Sequence, residues 1–129
     1  MIIVLDDDRQ FCELIKIVLE MEGYQVELAH DPDEVLSLAH HLDPALVLMD
    51  VHVTNIDTFD TLEEMKGDMA LRDVPVVMTS GIDYGVECRE RGAAAFLFKP
   101  FRPTELLTTI ASLIGGRETR VHDEKTKKE

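Results

Sequence analysis

At 129 residues, 45% apolar and 30% charged, the chain has the size and composition of a single globular domain able to bury its own core. No apolar run approaches the roughly 20 residues of a membrane-spanning helix, and the opening "MIIVLDDD" lacks the basic flank of a secretory signal, so a cytoplasmic protein without membrane insertion is expected. The net charge is −13, with residues 1–116 at −14 and the tail 117–129 at +1; so acidic a body repels a phosphate backbone, which argues against direct nucleic-acid binding and for divalent cations or basic partner surfaces.

Along the chain, short apolar runs rich in β-branched residues alternate with longer stretches of helical period. "IIVL" (2–5) reads as a strand, and "FCELIKIVLEMEG" (11–23) as a helix with Leu14, Ile15, Val18 and Leu19 in register and Gly23 as its stop. "QVELA" (25–29) alternates like a strand, and "DPDEVLSLAHHL" (31–42) opens with an Asp-Pro helix start. "ALVLM" (45–49) is the next strand. A helix is expected over about 56–70, with Phe59, Leu62, Met65 and Met69 on its inner face. "PVVMT" (75–79), a short helix near 83–91, "AFLF" (95–98) and "PTELLTTIASLI" (103–114) complete the pattern. Five βα units in sequence predict an α/β fold, a five-stranded parallel sheet doubly wound by helices on both faces. "IIVL", "LVLM" and "VVM" lack polar alternation, as strands buried on both sides should. The tail 117–129 is polar and without periodicity, and is expected to be mobile.

Ligands of an open α/β sheet bind beyond the carboxyl ends of its strands. Those ends here are Asp6-Asp7-Asp8, His30-Asp31 on an edge strand, Asp50, Thr79-Ser80-Gly81 and Lys99-Pro100. Carboxylates gathered on one rim raise each other's pKa values unless a cation intervenes. All the candidate ligands are oxygen, with no His or Cys cluster, so a hard ion such as Mg²⁺ suits them better than zinc. An ion, an ammonium (Lys99) and a hydroxyl (Ser80) around one carboxylate form an environment for a phosphoryl group, with Asp50 as its acceptor.

With these pieces in order, residues 1 to about 116 resemble the receiver (response regulator) domain of bacterial two-component signalling. The resemblance lies in "IIVLDDD", "ALVLMDV", "VPVVMTSG" and "FLFKPF". It implies a flavodoxin-like strand order 2-1-3-4-5. It also implies Asp6 and Asp7 as an ion-holding pair and Asp50 as both ion ligand and phosphorylation site. His52 would add its backbone carbonyl to the ion, Lys99 would bind phosphate, and Ser80 and Phe96 would form the switch. A cis Lys99-Pro100 bond follows as well, a geometry open to X-Pro bonds. The implied donor is a sensor histidine kinase or histidine phosphotransfer protein. With no second core recognisable after residue 116, the output is expected to run through a downstream protein partner or onward phosphotransfer.

The chain departs from the family pattern in "VTNIDTF", where Thr54 and Asn55 replace Pro-Gly and Thr58 replaces a second Gly. Phe96 stands where Tyr is frequent, and the 19-residue interval from Ser80 to Lys99 is short, which predicts a truncated fourth helix. Two rival readings belong beside this one. One is a degenerate receiver that serves as a binding scaffold. The other is a haloacid-dehalogenase-type phosphatase using Asp6 and Asp8, against which Gln10 replaces the expected Thr or Val. Asp8 also suits a helix cap. His40-His41 reads as a solvated helix end, Cys12 and Cys88 as packing residues, and Met49, Met65, Met69 and Met78 as core.

Overall fold

The computed structural model describes residues 1–115; the expectation for the tail 117–129 lies outside them. The chain opens with β1 (Ile2–Leu5), α1 (Arg9–Met21), β2 (Val26–Ala29), α2 (Pro32–Leu42) and β3 (Leu46–Asp50). Two short strands, β4 (His52–Val53) and β5 (Ile56–Asp57), come before α3 (Phe59–Gly67). Then follow β6 (Val76–Ser80), α4 (Gly85–Glu90), β7 (Ala95–Phe98) and α5 (Pro103–Ile114), which complete five βα units. The main sheet is parallel in the order β2-β1-β3-β6-β7, which is 2-1-3-4-5 counted over its own five strands. No described helix is long and apolar enough to cross a membrane.

The unbroken apolar runs follow from coverage on both faces. Successive side chains of a strand point to opposite sides, so β1 sends Ile3 and Leu5 to one core and Ile2 and Val4 to the other. The first core joins Val47, Met49, Val76 and Met78 to Val35 and Ala39 of α2, Leu62 and Met65 of α3, and Cys88 of α4. The second joins Leu46, Leu48 and Val77 to Ile15 and Leu19 of α1 and to Leu106, Ile110 and Ile114 of α5. Each Val, Leu, Ile or Met side chain among them contributes about 1.5–3 kcal/mol on leaving water.

Helix ends follow local chemistry. The Asp8 carboxylate accepts from the Phe11 amide at 3.1 Å, and Asp31 accepts from Glu34 at 2.9 Å with Pro32 at the first helical position. Glu105 accepts from the Arg102 amide at 2.8 Å to open α5. α4 has six residues, as the short Ser80–Lys99 interval predicts.

Two expectations are corrected. The helix expected from about residue 56 starts at Phe59, because residues 52–57 form an antiparallel hairpin, with His52 opposite Asp57 and Val53 opposite Ile56. Its turn residues Thr54 and Asn55 have φ of 50° and 64°, the positive pair that matches a two-residue hairpin to strand twist. Since α3 ends at Gly67, Met69 falls out of helical register and is 81% exposed, so it is not core. His40 and His41 are exposed in the last turn of α2, as expected of a solvated helix end, and His40 Nε2 lies 2.9 Å from Asp68 Oδ2 at the end of α3. Cys12, Cys88, Met49, Met65 and Met78 are buried as expected.

Candidate functional site

Parallel register brings the strand ends together. Leu5 pairs with Met49 and Asp50 pairs with Thr79, so Asp6, Asp50 and Ser80 all emerge at one rim. The Lys99 amide donates to the Ser80 carbonyl at 2.8 Å, which holds the Lys99-Pro100 segment, a cis bond, across the same edge. The Lys99 ammonium then reaches back over the rim, 2.6 Å from Asp6 Oδ2 and 2.9 Å from Asp50 Oδ2. It also lies 4.4 Å from the centre of the Phe11 ring, which stacks edge-on against Phe101. An aromatic face thus closes one side of the cation.

Asp6, Asp7 and Asp50 each place a carboxylate oxygen within 4.8 Å of the other two. Asp6 is buried, Asp7 exposed and Asp50 between them. Burial pushes the Asp6 carboxyl up from its ordinary value, and the Lys99 bond and the Asp8 amide only partly oppose it. Burial pulls the Lys99 ammonium down, but its bonds to Asp6 and Asp50 more than offset that and leave it raised. An all-oxygen trio of carboxylates fits a hard divalent cation such as Mg²⁺. The three carboxylates would be its donors.

The segment from His52 to Thr58 supplies much of the rim. The Thr54 amide donates to Asp7 Oδ2 at 2.9 Å, and the His52 amide to Asp50 Oδ1 at 3.2 Å. Thr58 is fully buried, its hydroxyl donating to the Asp50 carbonyl at 2.7 Å and lying 3.2 Å from that of Val51. Motif reading missed these roles because two of them use backbone amides, which carry no residue signature. The third had a signal: a Thr in an otherwise turn-like stretch can satisfy carbonyls with its hydroxyl.

Ser80 is buried, and its Oγ accepts from the Ile82 amide at 3.0 Å. Phe96 is half-buried against the first core. It faces Gly85, where an added Cβ would stand 3.5 Å from the ring and 3.2 Å from Asp83 Oδ1. Asp8, the second carboxylate of the phosphatase reading, caps α1.

A doubly wound sheet with an acidic, lysine-bridged cluster at the carboxyl ends of its strands places the chain among α/β domains whose ligand site lies at the switch point. Residues 2–111 match the family described as response regulator receiver domain. The chain is 32% identical over 116 residues to the "DNA-binding dual master transcriptional regulator RpaA" of Synechocystis sp., covering 88% of this chain and 48% of that protein. It is 34% identical over 118 residues to the "Transcriptional regulatory protein CpxR" of Klebsiella pneumoniae, with the same shares. The crystal structure of the receiver domain of NtrX from Brucella abortus superposes with a TM-score of 0.77 at 30% identity, covering 93% of this chain and 98% of that one. The chain therefore belongs to the response regulator receiver family of two-component signalling. It spans about half the length of the two regulators it matches.

Proposed function

We propose that Asp50 accepts a phosphoryl group from the phosphohistidine of a sensor histidine kinase or histidine phosphotransfer protein. An Asp50 carboxylate oxygen attacks phosphorus, the P–N bond breaks, and its electron pair returns to the donor imidazole. An acyl phosphate is left on Asp50. The observation that carries this reading is the Lys99 ammonium held between Asp6 and Asp50. It is a charge placed to follow the phosphoryl oxygens once one carboxylate is esterified. Mg²⁺, held by Asp6, Asp7, Asp50 and the His52 carbonyl, would supply neutralisation of phosphoryl charge when bound.

Ser80 and Lys99 then bind phosphoryl oxygens. In doing so Ser80 gives up its bond from Ile82, and Phe96 turns inward beside Gly85. The rearrangement changes the surface of the last two βα units, so a downstream protein binds one state better than the other. RpaA is described as DNA-binding. The strongly acidic residues 1–116 make a basic protein surface, not nucleic acid, the proposed direct partner of this domain. A cytoplasmic setting belongs to the same reading.

Incubation with Mg²⁺ and a small acyl phosphate, followed by intact mass measurement, tests the proposal. One phosphoryl group on the parent and none on Asp50→Asn is expected. Equal uptake by both proteins removes Asp50 from the mechanism, and no uptake by the parent favours a binding scaffold.

A further inference from the structure

We infer that Tyr84 is a positioning residue for the acceptor pocket, acting through His52. The inference rests on the reading of Asp50 as phosphoacceptor, and adds a residue that neither the strand-end pattern nor the acidic cluster contains. Tyr84 stands just before α4. Its ring centre is 5.5 Å from that of His52, tilted by 58°, and 6.0 Å from that of Phe59, nearly perpendicular at 80°. The Arg91 guanidinium lies 4.6 Å from the centre of the Phe59 ring. Arg91 is fixed in turn by Glu63 of α3 at 2.9 Å and Glu87 of α4 at 3.1 Å. A continuous series of contacts thus runs from the pocket rim through three rings to the cleft between α3 and α4.

The near end of that series is chemically sensitive. Two of the three clustered carboxylates, Asp50 and Asp7, accept from amides of the β4–β5 hairpin, at His52 and Thr54. In the reading proposed above, the same hairpin would also give the His52 carbonyl to the cation. Two-residue strands cannot hold themselves in water and need packing from outside. Val53 gives the hairpin a buried foot, whereas His52, Thr54, Asn55, Ile56 and Asp57 are exposed. Tyr84 is half-buried and packed on the first core, so it is anchored where His52 is not. Its ring is the firm surface against which His52 rests, which keeps the His52 amide aimed at Asp50.

A merely space-filling Tyr84 would affect folding alone; a positioning one also affects cation affinity, and does so through His52. The full chain is compared with Tyr84→Ala, Tyr84→Phe, His52→Ala and the Tyr84→Ala/His52→Ala double variant. Two quantities are read: the Mg²⁺ affinity of the unphosphorylated protein, and the half-life of the acyl phosphate on Asp50. Tyr84→Ala is expected to weaken Mg²⁺ binding about three- to tenfold and to shorten the half-life by a similar factor, the size of a lost aromatic contact. Tyr84→Phe, which keeps the ring, restores both. In the His52→Ala background, removing Tyr84 changes either quantity by less than about twofold, because the two residues act as one unit.

A cooperatively melting Tyr84→Ala protein with parental Mg²⁺ affinity overturns the inference, as do effects of Tyr84→Ala and His52→Ala that multiply. Should Tyr84→Ala fail to melt cooperatively, Tyr84→Leu keeps the bulk and removes the ring. It then takes the place of Tyr84→Ala throughout the cycle, and the same two results overturn the inference. A parent that binds Mg²⁺ but takes no phosphoryl group contradicts the phosphoacceptor reading alone, and the Mg²⁺ cycle still decides the role of Tyr84. A parent that binds no Mg²⁺ contradicts both.

Discussion

Lys99 Nζ and Asp6 Oδ2 are 2.6 Å apart although 93 residues separate them in the chain. The carboxylate side chain is only 3% exposed and the ammonium side chain 23%. Their contact is therefore a tertiary ion pair shielded from solvent, unlike the surface pairs that contribute little.

This pair predicts a reciprocal response to metal. Lys99→Met leaves Asp6 and Asp50 facing each other, so the melting temperature in chelator falls below that of the parent. Millimolar Mg²⁺ recovers more of the loss than it adds to the parent, since the ion then carries the whole task of neutralisation. Asp6→Asn removes a ligand, and its melting temperature becomes insensitive to Mg²⁺. Saturating the parent at 100 times its dissociation constant stabilises it by about 2.7 kcal/mol. Thermal melts of the three proteins with and without Mg²⁺ check this. Equal Mg²⁺ responses in all three contradict the ligand assignment.

Thr58 predicts a purely structural effect with a functional consequence. Its hydroxyl is buried against the Asp50 and Val51 carbonyls. Thr58→Val keeps the shape but takes the hydroxyl donor from the Asp50 carbonyl, at a cost of about 1–3 kcal/mol, while the Val51 carbonyl keeps the Thr58 amide at 2.7 Å. Chemical denaturation should show that loss with an unchanged m-value. The rate of phosphoryl uptake should fall as well, because Asp50 is held from the backbone side by the same hydroxyl. A stable variant with parental uptake would assign Thr58 to the fold alone.

The sheet and both cores were legible from periodicity. β1, β7 and α5 match the expected bounds residue for residue because apolar runs end there on Asp, Lys-Pro or Gly. The strand-end rule alone brings Asp6, Asp7, Asp50 and Lys99 to one rim, because parallel strands must deliver their carboxyl ends together. What stayed hidden was the segment from His52 to Thr58. Its hairpin is only two residues deep, too short for alternation to register. Its turn places Thr54, a β-branched residue, at φ 50°, where sequence statistics expect Asn or Gly. Tyr84 was equally silent, since its meaning lies in contacts with His52 and Phe59, residues 32 and 25 positions earlier in the chain.

Ile82 predicts a rate. It is two positions past Ser80 and 58% exposed, and its amide is bonded to the Ser80 hydroxyl. A bulky apolar side chain there would keep water from lining up on an acyl phosphate at Asp50. Ile82→Glu, which puts a carboxylate there able to orient water, should speed dephosphorylation by up to about 100-fold, the lower end of general-base assistance. Following the decay of the phosphorylated mass with time checks this. Unchanged decay removes Ile82 from control of water access.

Cys88 predicts how stability falls in alkali. Its side chain is wholly buried in the core under α4. Burial pushes the thiol up to about 11, from 9.0 when unfolded, with Glu87 adding to the rise. A group whose folded value is raised contributes stability that is complete below the unfolded value and is lost as pH climbs through the folded one. The relevant window is therefore pH 9 to about 11. Cys88→Ala should be less stable than the parent at pH 8, since it opens a small cavity, but should lose less of its stability across that window. The Cys88 thiol should also resist alkylation at pH 8 under native conditions, with modification tracking global unfolding. Parallel pH–stability curves for the two proteins, or rapid labelling of Cys88 in the folded state, would show that the thiol is not held neutral by the core around it.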